Sequence, residues 1–346
     1  HFGTCGGCAL QMMALEASRD LKRRFAADAL AMHRIDCLVE PTFGVPPGTR
    51  RRAVFSAVTT NTATVLGFHE RASQRIVDLT VCPVLRPEIA GRLPLLRDIA
   101  ATTLPPGKKG RISVLASETG LDIAVETGGA GTGLALPAAM MTRLDDGGVA
   151  RLSLDGAIAA LFAEPVLTLS GVPVVPPPGA FAQASAEAEA FIIGLAVTHL
   201  AGSGAIADLF AGFGTFSLAL AQQAAVFAFD TAADALAALA AAARQATGLK
   251  PVKTNVRDLM QFPLSEQELK RFDAAVLDPP FAGARAQATT LAASDVARVV
   301  SISCNPATFA RDARILIDGG FALERVTPVD QFVFAADTEV VGLFSR

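Results

Sequence analysis

The chain has 346 residues, of which 51% are hydrophobic and 18% are charged. This composition excludes intrinsic disorder and supplies large hydrophobic cores, and the length favours two domains. Tryptophan and tyrosine are absent, so any aromatic stacking on a ligand must come from the 21 phenylalanines or from histidine.

The net charge of −3 conceals an asymmetry along the chain. Residues 1–112 hold 16 Lys and Arg against 9 Asp and Glu, whereas residues 113–346 hold 14 against 24. A basic first third on an acidic body is typical of a protein in which one domain binds a polyanion and another carries out chemistry. A chance cluster of solvated charges would give the same balance.

No targeting segment is visible, so we expect a cytoplasmic protein whose sequence here begins within a longer chain. Two uncharged runs, residues 165–186 and 209–229, have the length of a membrane span. Prolines interrupt the first run, and glycines and polar residues interrupt the second. Both therefore fit a protein without membrane contact.

The first predicted element is an amphipathic helix over residues 14–34, with Lys22 directed away from its apolar face. That face comprises Ala14, Ala17, Leu21, Phe25 and Met32. Residues 51–166 then show short β-like runs separated by turns, and the prolines of residues 173–178 indicate a linker. These changes predict three parts: a cysteine motif with a basic helix (1–40), a central β-rich domain (41–172) and a third domain (179–346).

In the third domain, predicted strands alternate with helices. The strands cover residues 205–210, 225–230, 272–278 and 299–303, and a helical stretch follows each of them. This alternation predicts an α/β fold with a doubly wound, Rossmann-like parallel sheet.

Several acidic residues follow these strands. Asp230 and Asp278 end two of them, and Asp258 follows a short run that could form another. With the glycine turn of residues 211–214, they would line the carboxyl edge of the sheet, where Asp230 can bind both ribose hydroxyls of an adenosine. Carboxylates without a phosphate-binding base suit S-adenosylmethionine better than NAD, although ordinary caps and turns could explain any single acid.

Cys304 follows the last of the predicted strands and precedes Asn305-Pro306, a favourable N-cap and first helical residue. The helix dipole is expected to lower the pKa of this thiol. Free cysteines are usually small buried hydrophobes, but the sheet-edge position favours a nucleophile.

Cys5 and Cys8 form a Cys-X-X-Cys motif between glycines, and Cys82 follows much later. Three thiolates suggest a zinc or iron–sulfur site that lacks one ligand. Redox or disulfide use fits less well because the chain has no secretory features.

Four segments together resemble the RNA (uracil-5-)-methyltransferases, most closely the iron–sulfur enzymes that act on 23S ribosomal RNA. They are residues 2–11, 208–217, 278–280 and 303–308, which read FGTCGGCALQ, DLFAGFGTFS, DPP and SCNPAT. The resemblance covers essentially the whole chain and is most specific in the first and last of these segments.

The resemblance implies a class I methyltransferase domain over residues 179–346, an RNA-facing central domain and a monomer that modifies ribosomal rather than transfer RNA. It implies Cys304 as the nucleophile and Glu339 as the base. The implied contacts to S-adenosylmethionine are Gln183, Phe210, Asp230, Asp258 and Asp278. Cys5, Cys8 and Cys82 match three ligands of a [4Fe-4S] cluster whose first ligand lies just upstream of His1.

The chemistry requires both catalytic groups. C5 of uracil is a poor nucleophile, and addition of a thiolate at C6 turns C5 into an enolate-like carbon that can accept a methyl group. A base must then remove the C5 proton so that the thiol can be eliminated. A uridine in folded RNA must first be unstacked.

Three departures from the family pattern leave more than one function open. Phe281 stands where an arginine is usual, Ser185 replaces an asparagine, and Asp337-Thr338 replaces His-Val. The run 278–281, Asp-Pro-Pro-Phe, is also the signature of amino-methyltransferases that act on adenine or guanine. A non-catalytic RNA-binding protein would rely on the basic segments alone, and a metal or redox protein would be centred on Cys5 and Cys8.

Overall fold

The computed structural model of the protein describes residues 1–131 and 133–346. Within them, the helices are α1 (Leu15–Met32), α2 (Pro87–Ala90), α3 (Leu93–Thr103), α4 (Ala138–Asp146), α5 (Ala186–His199), α6 (Ser217–Leu220), α7 (Ala233–Gln245), α8 (Glu266–Leu269), α9 (Arg285–Ala292) and α10 (Pro306–Asp318). The first nine strands are β1 (Phe43–Gly44), β2 (Arg52–Thr59), β3 (Thr64–Gly67), β4 (Lys109–Ser117), β5 (Gly120–Glu126), β6 (Val149–Leu154), β7 (Ala157–Leu161), β8 (Leu167–Leu169) and β9 (Val172–Val174). The remaining strands are β10 (Ala205–Leu209), β11 (Ala225–Asp230), β12 (Val252–Val256), β13 (Ala274–Leu277), β14 (Arg298–Ser303), β15 (Ala322–Asp330) and β16 (Glu339–Ser345).

The large sheet has the strand order β1-β15-β16-β14-β13-β10-β11-β12. Strands β10 to β14 are mutually parallel, which confirms the predicted Rossmann-like α/β fold. The strand order reverses between β10 and β13, and ligands bind at such a switch point in open α/β sheets. The sequence did not reveal β15 and β16, which pair antiparallel with each other and join the sheet through β14. The exposed Glu324 and the proline at position 328 weaken the strand signal of β15.

The N-terminal helix α1 packs on α10 and β15 of this sheet, but with a different face from the predicted one. Its buried residues are Ser18, Lys22, Ala26 and Leu30, whereas Met32 is 84% exposed. Lys22 is buried because its ammonium group donates to the buried Asp330 carboxylate and, at 2.9 Å, to the Phe332 carbonyl. A side chain whose charge is paired can occupy a helix face that hydrophobic periodicity alone would not assign to it.

Loss of this pair should destabilise the protein strongly. Lys22→Met leaves the Asp330 carboxylate buried without a counter-charge, which costs about 3–5 kcal/mol of unfolding free energy. Urea denaturation followed by circular dichroism measures the loss. The double variant Lys22→Met/Asp330→Leu should regain most of it, and equal instability of the single and double variants would contradict the assignment.

The second sheet has the order β3-β2-β4-β5-β6-β7. Strand β2 alternates strictly between buried and partly exposed residues, as expected for a sheet with one face on a core. This core continues through α5 into the large sheet, so the two sheets share one hydrophobic interior. The β8–β9 hairpin packs its apolar residues against α7. The division of the chain into residues 1–40, 41–172 and 179–346 stays a prediction.

No helix in the described part of the chain is both long enough and apolar enough to cross a membrane.

Candidate functional site

A cavity of about 670 Å³ lies at the carboxyl edge of the large sheet, beside the switch point between β10 and β13. It brings together side chains from eight separate stretches of the chain. Every residue that the sequence analysis assigned to catalysis or S-adenosylmethionine binding lines it: Gln183, Phe210, Asp230, Asp258, Asp278, Cys304 and Glu339.

The loop after β10 forms one wall of the cavity. Phe210 adopts φ +68°, an unusual conformation for a residue with a side chain, and its amide donates to the Phe229 carbonyl at 2.9 Å. Gly214 has φ +104°, and a Cβ there would lie 2.4 Å from Leu239 Cδ1. Only glycine therefore permits this turn to pack against α7.

Two of the acidic side chains are held by backbone amides. Asp230 accepts from the Gly212 amide at 2.9 Å and, through its other oxygen, from the Ala232 amide at 2.8 Å. Asp258 accepts from the amides of Met260 and Gln261 at 2.9 and 3.2 Å. Both bonds to Asp258 end on Oδ1, so its Oδ2 can still accept, and Asp230 Oδ2 keeps a second lone pair; a ligand hydroxyl can therefore still donate to each group.

The described residues that line the cavity include five carboxyl groups and no lysine, arginine or histidine. The five are Asp230, Asp234, Asp258, Asp278 and Glu339. Burial raises the pKa of Glu339 to about 7, and burial together with the nearby Glu339 raises the pKa of Asp278 well above its usual range. An acidic cavity without a cation is matched to a positively charged, phosphate-free ligand, and the donor set therefore fits S-adenosylmethionine.

A hydrogen-bond network that the sequence did not indicate connects three of these residues. The Gln331 amide nitrogen donates to Gln183 Oε1 and to Glu339 Oε2, both at 2.8 Å. Gln183 Nε2 in turn lies 3.4 Å from Asp278 Oδ2. A lone glutamine after a strand carries no recognisable signal, so sequence reasoning had no means of finding it.

Cys304 lies between β14 and α10, as predicted, and Asn305 caps the helix by accepting from the Ala307 amide at 3.0 Å. The predicted lowering of its pKa is wrong. Partial burial first, and then the nearby Glu339 and Asp278 carboxyl groups, together raise the pKa of the thiol to about 11. Desolvation and two like-signed neighbours outweigh the dipole of one helix N-terminus.

Phe281 is 62% exposed at the rim of the cavity, beside Cys304. Its carbonyl accepts from Asn305 Nδ2 at 3.4 Å and from Thr308 Oγ1 at 3.3 Å. The residues that follow Cys304 thus hold in place the backbone of Phe281, which carries this exposed ring.

Cys5, Cys8 and Cys82 line a second cavity of about 320 Å³, which shares Cys304, Phe281 and Phe332 with the first. Gly6 seats the motif, since its amide donates to the His69 carbonyl at 2.9 Å and a Cβ there would lie 2.8 Å from that oxygen. The sulfur ligands suit an iron–sulfur cluster chemically. However, residues 1–131 and 133–346 contain no group of three His, Cys, Asp or Glu arranged to hold a metal ion.

Some residues of the basic segments are buried and stabilise the fold, whereas others line cavities or lie at the surface. Arg51 is buried and pairs with Glu189 at 2.7 Å, and Arg23 donates to the Val39 carbonyl at 2.8 Å. Together with Lys22 they stabilise the fold, so the basic balance of the N-terminal third overstates its polyanion-binding surface. Arg50 lines the cysteine cavity, and Arg52 lies 4.9 Å from the exposed Phe181 ring.

Known proteins similar to this chain align with its whole length, and one family model aligns with its second half. A family model described as tRNA (uracil-5-)-methyltransferase matches residues 176–346. An uncharacterized RNA methyltransferase of Brucella suis is 43% identical over 100% of this chain and 83% of its own length. The 23S rRNA (uracil(1939)-C(5))-methyltransferase RlmD of Chromohalobacter salexigens is 30% identical over 100% of this chain and 75% of its own length.

The same fold is found in a solved structure. The tRNA (uracil-54, C5)-methyltransferase of Pyrococcus abyssi, crystallised with S-adenosyl-L-homocysteine, superposes with a TM-score of 0.75. The match covers 98% of this chain and 85% of that one at 20% sequence identity, so it establishes the fold alone.

Proposed function

The chain belongs to the RNA (uracil-5-)-methyltransferase family, and we propose that it methylates C5 of a uridine in 23S ribosomal RNA. The observation that carries this proposal is the single cavity in which Cys304 and Glu339 meet the acidic residues suited to S-adenosylmethionine. A ribosomal substrate is supported by the RlmD relative, which is 30% identical over three quarters of its length.

In this proposal, different residues carry out the covalent catalysis and the binding of the methyl donor. Cys304 loses its proton to solvent and adds to C6 of the uracil as the thiolate. After methyl transfer to C5, Glu339 removes the C5 proton while the C6–S bond breaks, so that the thiolate is released. S-adenosylmethionine supplies the methyl group. Gln183, Phe210, Asp230, Asp258 and Asp278 would bind and orient it on the sheet edge.

The substrate assignment is tested with unmodified transcripts. Purified protein is incubated with S-adenosylmethionine carrying a labelled methyl group and either 23S ribosomal RNA or transfer RNA, and the nucleosides are separated after digestion. We expect labelled 5-methyluridine from the ribosomal transcript. Label in transfer RNA alone would refute the ribosomal assignment, whereas labelled N-methyladenosine or N-methylguanosine would favour an amino-methyltransferase that uses Asp-Pro-Pro-Phe.

Cofactor binding supplies a separate prediction. Asp230→Asn should weaken the affinity for S-adenosylhomocysteine roughly 10- to 100-fold, because a hydrogen bond to a charged carboxylate is worth about 1.5–3 kcal/mol. Isothermal titration calorimetry measures the change. The exposed Asp295→Asn serves as a matched control, and unchanged affinity of Asp230→Asn would exclude Asp230 from the cofactor site.

We also propose a [4Fe-4S] cluster on Cys5, Cys8 and Cys82. Support comes from the Cys-X-X-Cys motif and from the shared cavity, although the three sulfurs would have to converge for cluster assembly. Anaerobic reconstitution with iron and sulfide tests this proposal. A broad visible absorption that requires all three cysteines is expected, and equal iron uptake by Cys82→Ala would contradict it.

A further inference from the structure

Gln331 lies at the centre of the hydrogen-bond network of the site, but the mechanism proposed above gives it no role. It follows β15 directly, is 2% exposed, and reaches both Gln183 and Glu339 with its amide nitrogen. Its amide oxygen accepts from the Ala184 amide at 3.0 Å. Both N–H bonds and the oxygen of this side chain are therefore used, which leaves it a single orientation.

This orientation determines how two neighbouring groups point. Gln183 must present its oxygen to Gln331, so its own amide nitrogen is directed toward Asp278 Oδ2 at 3.4 Å. Glu339 must accept through Oε2, and an ionised carboxylate does this best. The chain Glu339–Gln331–Gln183–Asp278 thus links the proposed base to the proposed cofactor site.

The position of Gln331 is itself held rigidly. The preceding Asp330 is paired with the buried Lys22, whose ammonium group also donates to the carbonyl of the following Phe332. The backbone on both sides of Gln331 is therefore tied to α1.

We propose that Gln331 is a positioning residue that holds the Glu339 carboxylate ready to accept a proton and directs Gln183 toward the cofactor site. This inference rests on the proposed function of Glu339. It goes further by assigning a role to a residue that does not line the cavity and acts through Glu339 and Gln183.

The electrostatic surroundings of Glu339 explain why such a donor is needed. Asp278 and the Cys304 thiol face it, and Asp337 also acts on that thiol, so the neighbouring titratable groups are acids. Burial raises the pKa of Glu339, and the hydrogen bond from Gln331 opposes this rise. Removing the donor should therefore raise the pKa again, by about one unit for one hydrogen bond to a charged group.

Infrared spectroscopy tests the inference without RNA or turnover. The C=O band of a protonated buried carboxyl group is followed against pH, and the part lost in Glu339→Gln identifies Glu339. In Gln331→Met the midpoint of that band should move up by about one pH unit. Gln331→Leu, which also removes the donor but has a different side-chain shape, should move it in the same direction and covers a failure of Gln331→Met to fold.

A matched control variant and a separate methyl-transfer assay complete the test. Gln287 is another fully buried glutamine, bonded to the Leu264 backbone and Thr290, and Gln287→Met should leave the Glu339 midpoint unchanged. An unmoved midpoint in both Gln331 variants, or an equal shift in Gln287→Met, overturns the inference. The methyl-transfer assay on wild-type protein tests the proposed function separately, so failure there would not be mistaken for failure here.

Discussion

Cys304→Ala should reduce 5-methyluridine formation by at least roughly a thousand-fold, since removing a covalent nucleophile removes the step that activates C5. The same variant should form no adduct with RNA that contains 5-fluorouridine. Fluorine at C5 cannot leave as a proton, so wild-type protein with S-adenosylmethionine should remain attached to this RNA on a denaturing gel.

Cys37→Ala is a matched control for this experiment. Cys37 is also partly exposed and free, but it lies beside the Leu38 and Leu323 carbonyls, away from the cavity. The Cys37→Ala variant should retain both methyl transfer and the protein–RNA adduct on the denaturing gel. Methylation of ordinary RNA by Cys304→Ala at the wild-type rate would refute covalent catalysis through this thiol.

The parallel half of the fold could be predicted because its strands are continuous apolar runs separated by clear helix signals. Parallel strands place their carboxyl ends at one edge, so the residues that follow them meet there regardless of their separation in sequence. This rule accounts for Phe210, Asp230, Asp278 and Cys304 lining one cavity. Gln183 and Glu339 could be placed only through the family resemblance, since no strand pattern positions them.

The interactions that could not be predicted are those between polar groups far apart in sequence. Lys22 looks like a solvated residue until its partner Asp330 is known, and Arg51 likewise until Glu189 is known. The prediction that the pKa of Cys304 is lowered was wrong for a related reason. The local helix N-terminus was visible in the sequence, whereas the approach of Glu339 and Asp278 from other strands was not.

Glu339→Gln should accumulate a covalent protein–RNA adduct on ordinary RNA while product formation falls about 100- to 10,000-fold. Glutamine preserves the size of the side chain but cannot take the C5 proton, so Cys304 would remain bonded to C6 of the methylated base. A denaturing gel with labelled RNA reveals the adduct. The exposed Glu266→Gln should behave as wild type.

The pH dependence separates this role from a purely structural one. Glu339 acts as a carboxylate, and its pKa in the protein is about 7, raised by burial. Release of methylated product from preformed adduct, a step that follows the reaction of the thiol, should therefore increase with pH through about 7 and level off above it, because the ionised fraction of the base follows that curve. In Glu339→Gln this limb should disappear while adduct formation persists. Normal turnover by the variant would place the base elsewhere, and loss of the adduct itself would show that Glu339 acts before the methyl group is transferred.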